Sequence, residues 1–250
     1  MNLATTIDEV IYILNTIITT ETQAGSNLAF FPVLYKKVTE RIKIGIEANE
    51  FENNARMEQL DVLFANRYLE SYRQFKAKEK PTASWACAFE AAGNSKLLIM
   101  QQLLLGINAH INLDLGIAVA ETVGEQGNLT DFENDFNKIN AILASMVADV
   151  EDRISKVSPM FLLLDKVGKG KEDKVVSFSI NVARDGAWLF ANQYYFSGNK
   201  PQEIDNRDTI IAALATKLTT TKNRWLRYAI RFIRFFEMKN VAKVSEILDN

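Results

Sequence analysis

The sequence predicts an all-α protein, a single multi-helix bundle of about ten helices over residues 1–250, and three observations predict it. Helix breakers are few, with four prolines and eleven glycines in 250 residues. Apolar side chains recur at spacings of three and four over long stretches, the helical period. Alternation of the kind a half-buried strand needs is scarce. A hydrophobic content of 48% is enough to bury a sizeable core, and no stretch reads as an interdomain linker.

The elements follow in order. Thr6 with Glu9 three residues on is a capping-box pattern, opening a helix that carries Ile7, Val10, Ile11, Leu14, Ile17 and Ile18. Gly25 and Ser26 punctuate it. A second helix is expected over 32–48, with Pro32 in its first turn, and a third over 52–75, with Met57, Leu60, Leu63, Phe64 and Tyr68 on one face. The charged segment 76–81 is a solvated turn. Helices over 82–92 and 95–122 come next, ended by Gly124, Gly127 and Asn128. Thr130 and Glu133 suggest a second capping box, opening a helix to residue 157 that Ser158 and Pro159 end.

A short helical piece to residue 164 precedes the surface turn Gly168-Lys169-Gly170-Lys171, which lacks the spacing of a phosphate-binding loop. Residues 174–196 begin with strand-like alternation, but Ile180, Ala183, Ala187, Phe190 and Ala191 continue at helical spacing, so helix is expected. Past Gly198 and Pro201, helices are expected over 207–238 and 241–248.

Bulk composition narrows the function. Lys and Arg number 29 against 31 Asp and Glu, a formal net charge of −2, which gives no reason to expect nucleic acid as a partner. A single cysteine, Cys87, forbids an intrachain disulfide and a cysteine-based zinc cluster, and it sits among alanines and aromatics as a small buried hydrophobe would. No secretory signal is read at the N-terminus, and apolar stretches are interrupted before about 18 residues, so no transmembrane span is expected. A cytoplasmic protein is the expectation.

The chemistry concentrates in Asn108-Ala109-His110-Ile111-Asn112-Leu113-Asp114-Leu115, which holds the one histidine of the chain inside an otherwise apolar run, 97–119. Buried polar side chains must find partners or they cost stability. His110 and Asp114, four apart, share a helical face, so the carboxylate can fix the imidazole tautomer and raise its basicity, a candidate catalytic pair. The same spacing suits a hydrogen-bonded core histidine or two ligands of one metal ion, with Asp61, Glu90, Glu121 or Asp185 supplying further oxygens. With one histidine and no Glu-x-x-His, a paired bundle di-iron motif is absent.

Asn108 and Asn112 also lie four apart but rotated away from His110, suited to contacting a ligand or to bonding a neighbouring helix. Gly106 and Gly116 flank the motif, where helical glycine costs about 1 kcal/mol relative to alanine, so close packing or a helix break is expected. Two more polar insertions are candidate ligand contacts: Arg184 and Asp185 with Trp188, and Trp85 with Glu90. Arg184 suits an anionic group, or a structural ion pair with Asp114 or Asp61. Residues 209–236 carry six basic side chains and no acidic one. Arg224, Arg227, Arg231 and Arg234 form a narrow stripe, either a solvated face paired with neighbouring acids or a contact for a peripheral anionic surface or acidic partner.

Together with Phe30, Tyr35, Val38-Thr39, Leu60, Phe64-Ala65, Tyr68-Leu69, Trp85, Phe89, Arg184 and Trp188, the motif resembles a bacterial family catalogued as a domain of unknown function. The resemblance covers roughly 30–195 and is most specific at the Asn-Ala-His-Ile-Asn-Leu-Asp-Leu run. It implies one helical domain, a bacterial cytoplasmic setting, and a family-typical place for His110 and Asp114; it implies no substrate. The residues favour a small molecule, anionic in part, bound or transformed in an interhelical pocket around His110, Asp114 and Arg184. A metal- or haem-binding bundle using His110, and an interaction protein using the arginine stripe, are the alternatives.

Overall fold

The central element is a continuous helical run, Ile99–Val123, against which five other helices pack. The computed structural model describes residues 3–125, 127–160, 180–221 and 223–250. Among these the chain forms eleven α-helices and no strand: α1 (Ile7–Gln23), α2 (Phe30–Glu47), α3 (Asn54–Lys76), α4 (Ala83–Ala92), α5 (Ile99–Ala109), α6 (Gly116–Val123), α7 (Glu133–Val157), α8 (Ile180–Phe196), α9 (Lys200–Thr219), α10 (Arg224–Phe236) and α11 (Val241–Asp249). Short 3₁₀ turns at Asn27–Ala29 and Leu129–Phe132 lead into α2 and α7.

The all-α expectation holds, and the caps account for most boundaries. Thr6 Oγ1 accepts from the Glu9 amide to start α1, Asn53 Oδ1 accepts from the Arg56 amide to start α3, and Ser158 ends α7. Some boundaries differ from expectation. The helix expected from 207 starts at Lys200, capped by Asn199 with Pro201 in its first turn. Asn128, rather than Thr130, opens the segment before α7: its Oδ1 accepts from the Thr130 amide, and a 3₁₀ turn intervenes. The helix expected over 207–238 is two helices, because the chain is extended at Thr220 and Asn223 caps a new start at α10. The piece expected before residue 164, the turn 168–171 and the strand-like residues 174–179 lie outside the described residues.

Residues Ile99–Val123 are long and apolar enough to cross a membrane by length and composition, but 94% of the most apolar window is buried inside the protein. A helix apolar on every side is what a core position requires. It contacts α2, α3, α4, α8 and α9. Its first amide, Ile99 N–H, donates to the buried carboxylate of Glu237, which lies just past the end of α10.

Close packing explains both glycines of the run. A Cβ on Gly106 would stand 2.4 Å from the Phe31 ring, and one on Gly116 would stand 2.7 Å from the Ala187 carbonyl oxygen. The helix does not break at Gly106. Its irregularity is a π-helical turn at His110–Leu115, one residue wider than an α-turn.

Candidate functional site

The π-helical turn presents His110 to a cavity of about 510 Å³. Five helices wall it: α2 through Tyr35 and Val38, α3 through Leu60 and Phe64, α5 through Leu103 and Ile107, α7 through Ile139 and Leu143, and α8 through Ile180 and Arg184. The wall is largely aliphatic and aromatic. Asp61 is also on it.

His110 is held on every side. Its ring stacks on Phe64 at 3.5 Å between centroids and 6° between planes, and meets the edge of Tyr35 at 4.5 Å. Nδ1 lies 3.2 Å from Oδ2 of Asp114. The same Oδ2 accepts the indole N–H of Trp85 at 2.8 Å, while Oδ1 accepts from Arg67 Nε at 3.0 Å. The Asp114 carboxylate only accepts in this network, so the imidazole carries its proton on Nδ1 and keeps the Nε2 lone pair. Nε2 is buried and has no hydrogen-bond partner among the described residues. Burial holds the His110 pKa below the ordinary imidazole value, with Asp114 opposing and Arg67 adding to the shift. The group facing the cavity at neutral pH is an oriented, uncharged base.

Asp61 belongs to the same wall. It is buried, its Oδ2 lacks a partner among the described residues, and burial with the nearby Glu58 charge pushes its carboxyl up to about 8. At neutral pH Asp61 is mostly a neutral carboxylic acid with a proton to donate.

Arg184 is 1% exposed. One nitrogen, Nη2, donates to the Phe136 carbonyl at 3.0 Å, and the guanidinium lies 4.9 Å from the centre of that residue's ring. Nε and Nη1 are buried without a partner among the described residues. Burial lowers its pKa to about 9, which leaves it cationic at neutral pH. The expected ion pair of Arg184 with Asp114 or Asp61 is not formed: Arg67 occupies Asp114, and Asp61 has no ion pair among the described residues.

The other expected site residues are placed as follows. Trp85 stands behind Asp114 and does not line the cavity. Asn108 donates to the Ile211 carbonyl of α9 at 3.1 Å and accepts from Asn112 at 3.1 Å, so both serve the contact between the central helix and α9. Arg207 completes that contact, donating to the Asn112 carbonyl at 2.8 Å. Trp188 is half-buried against Phe136, and Asp185 and Glu90 are exposed; none of the three lines the cavity. Among the described residues, no three His, Cys, Asp or Glu side chains gather as a metal site would require. The six acidic and imidazole groups read as joint ligands do not converge on one point.

Arg67 was not singled out from the sequence, and Asp61, expected as a metal ligand or as a partner of Arg184, instead stands on the cavity wall as a buried carboxyl. Each lies three positions from Phe64 on α3, on the face that packs toward the central helix, so a charge on the apolar stripe was the available signal.

Comparison with characterised proteins and with solved structures returns no match. A family model described as "Family of unknown function (DUF5995)" matches residues 7–221, which include every residue of the cavity wall named above. The chain belongs to that family.

Proposed function

We propose that this chain binds a mostly apolar organic molecule bearing one acidic group in the cavity beside His110, and that His110 acts on it as a base. The observation carrying this reading is a large apolar cavity whose wall holds buried polar atoms left unpartnered by every described residue: His110 Nε2, Asp61 Oδ2, and Arg184 Nε and Nη1. Such atoms in a folded protein require an explanation, and a ligand supplies their partners. The volume of about 510 Å³ falls in the range of small-molecule sites, roughly 300–1,000 Å³.

Each group has a part suited to its chemistry. Among the described residues Arg184 is a buried cation with no carboxylate in an ion pair, which is costly alone and favourable with a ligand anion across Nε and Nη1. Protonated Asp61 donates a hydrogen bond to a ligand oxygen. His110 Nε2 takes a proton, and Asp114 stabilises the imidazolium that forms, with Arg67 and Trp85 holding the carboxylate in place. The aliphatic wall favours the apolar body.

Thermal denaturation with saturated carboxylates, the matching alcohols and the matching amines tests this. Carboxylates are expected to raise Tm in the wild type more than alcohols or amines do, and Arg184→Met to lose the carboxylate preference. Equal shifts with all three classes, or none, would refute the assignment.

A further inference from the structure

We infer that α10 is a docking surface for an anionic lipid bilayer. Only a narrow strip of this helix faces the protein: Leu226 and Ile233 are fully buried and pack with Leu98. At about 100° per residue, the remaining surface divides into two adjoining sectors. One carries Arg224, Arg227, Arg231 and Arg234. The other carries Trp225, Tyr228, Phe232, Phe235 and Phe236.

Both sectors face solvent. Trp225 is 77% exposed and Phe235 76%, and Phe236 lies within 5.1 Å of both Phe232 and Phe235, centre to centre, making one ring cluster. Scattered exposed apolar residues are ordinary, but five large rings on one thirteen-residue helix form a patch. Arg224, Arg227 and Arg231 are exposed and have no ion pair among the described residues; Arg234 alone pairs, with Glu237. Among the described residues, no acid from an adjacent helix neutralises these three.

Charge complementarity selects the occupant. Residues 209–236 hold six basic side chains and no acidic one, on a chain whose net charge is −2, so the positive field is local to this region. A bilayer surface offers a plane of phosphates for the arginines and, directly beneath it, an apolar layer for the rings. Trp and Tyr favour that boundary in particular. An acidic peptide matches the stripe but offers nothing to five rings, and a second copy of α10 would oppose arginine to arginine. The helix lies beyond the residues matched by the family model, and the inference is independent of the cavity.

The full chain is mixed with phosphatidylcholine vesicles with and without phosphatidylglycerol, and binding is read by co-sedimentation and Trp emission. Binding is expected only with the anionic lipid, accompanied by a blue shift that Trp225→Phe removes. Arg227→Gln with Arg231→Gln is expected to weaken binding about twenty-five-fold, at roughly a factor of five per arginine, and leave Tm unchanged. Equal binding to neutral vesicles, or binding that ignores the two arginine substitutions, would overturn the inference. Preference for a single-stranded oligonucleotide over the vesicles at matched salt would overturn it too, as would concentration-dependent dimerisation through α10 without vesicle binding.

Discussion

His110 Nδ1 lies 3.2 Å from Oδ2 of Asp114, and the oxygen that meets it also takes the indole proton of Trp85, so one buried carboxylate sets both the tautomer and the orientation of the only imidazole in the chain. Phe64 and Tyr35 hold the ring from its face and edge. The consequence is directional: the unpartnered nitrogen is Nε2, on a residue of the cavity wall.

Removing that carboxylate strips three donors of their acceptor. Asp114→Ala is expected to cost about 3 kcal/mol or more, because Arg67 and Trp85 are left with unmet hydrogen bonds in a buried site. His110→Phe removes only one member and can stack on Phe64, so about 1–2 kcal/mol is expected. Urea unfolding of both variants checks the order. Equal losses would show that Asp114 does no more than pair with the histidine.

The pH dependence carries opposite signs from two groups. His110 has a folded pKa below its unfolded value of 6.5, so the unfolded chain holds more protons in acid. Its contribution to stability is therefore intact above pH 6.5 and is lost as pH falls below it. Asp61 behaves the other way. Its carboxyl, near 3.8 when unfolded and about 8 when folded, favours the folded state in acid, and that advantage is lost as pH rises through this interval.

The His110 effect is common to the wild type and Asp61→Asn and cancels between them, so between pH 6.5 and 8 the wild type should lose about 1 kcal/mol per pH unit relative to Asp61→Asn. Urea midpoints measured across this range test it. A constant difference between the two proteins would mean that Asp61 is ionised throughout.

Gly106 and Gly116 should both resist alanine, for different reasons. The added methyl at 106 meets the Phe31 ring, which can turn, and about 1–3 kcal/mol of overpacking is expected, relieved in part by Phe31→Leu. At 116 it meets the Ala187 carbonyl of α8, which no rotamer change can clear. Gly116→Ala should cost more. Thermal melts of the two variants and of the Gly106→Ala, Phe31→Leu pair would show this, and full tolerance at 116 would mean that α8 is free to move.

Local chemistry made most of the fold readable: Thr6 marks the start of α1, Ser158 ends α7, and the four-residue spacing brings His110 to Asp114. What escaped depends on register or on distance along the chain. A π-turn adds one residue to a turn without disturbing an unbroken apolar run, so 110–115 read as ordinary helix. The split at 220–223 is hidden because the basic and apolar pattern resumes on the other side. Arg67 reaches Asp114 across 47 residues of sequence, a pairing no local pattern encodes. Glu90 and Asp185 look like insertions into apolar helices, but each occupies an exposed face.

The central claim is that His110 Nε2 is an unprotonated nitrogen awaiting a ligand in the cavity, and the single histidine makes it directly observable. In protein labelled with ¹⁵N-histidine, one imidazole gives one pair of ring nitrogen signals. At pH 7 the account predicts a neutral ring protonated at Nδ1, with a titration midpoint below 6.5. Addition of a saturated carboxylate is expected to shift the Nε2 signal in the wild type and leave it unmoved in Arg184→Met. A proton on Nε2 in the free protein, or an Nε2 signal indifferent to every carboxylate up to its solubility limit, would contradict the account.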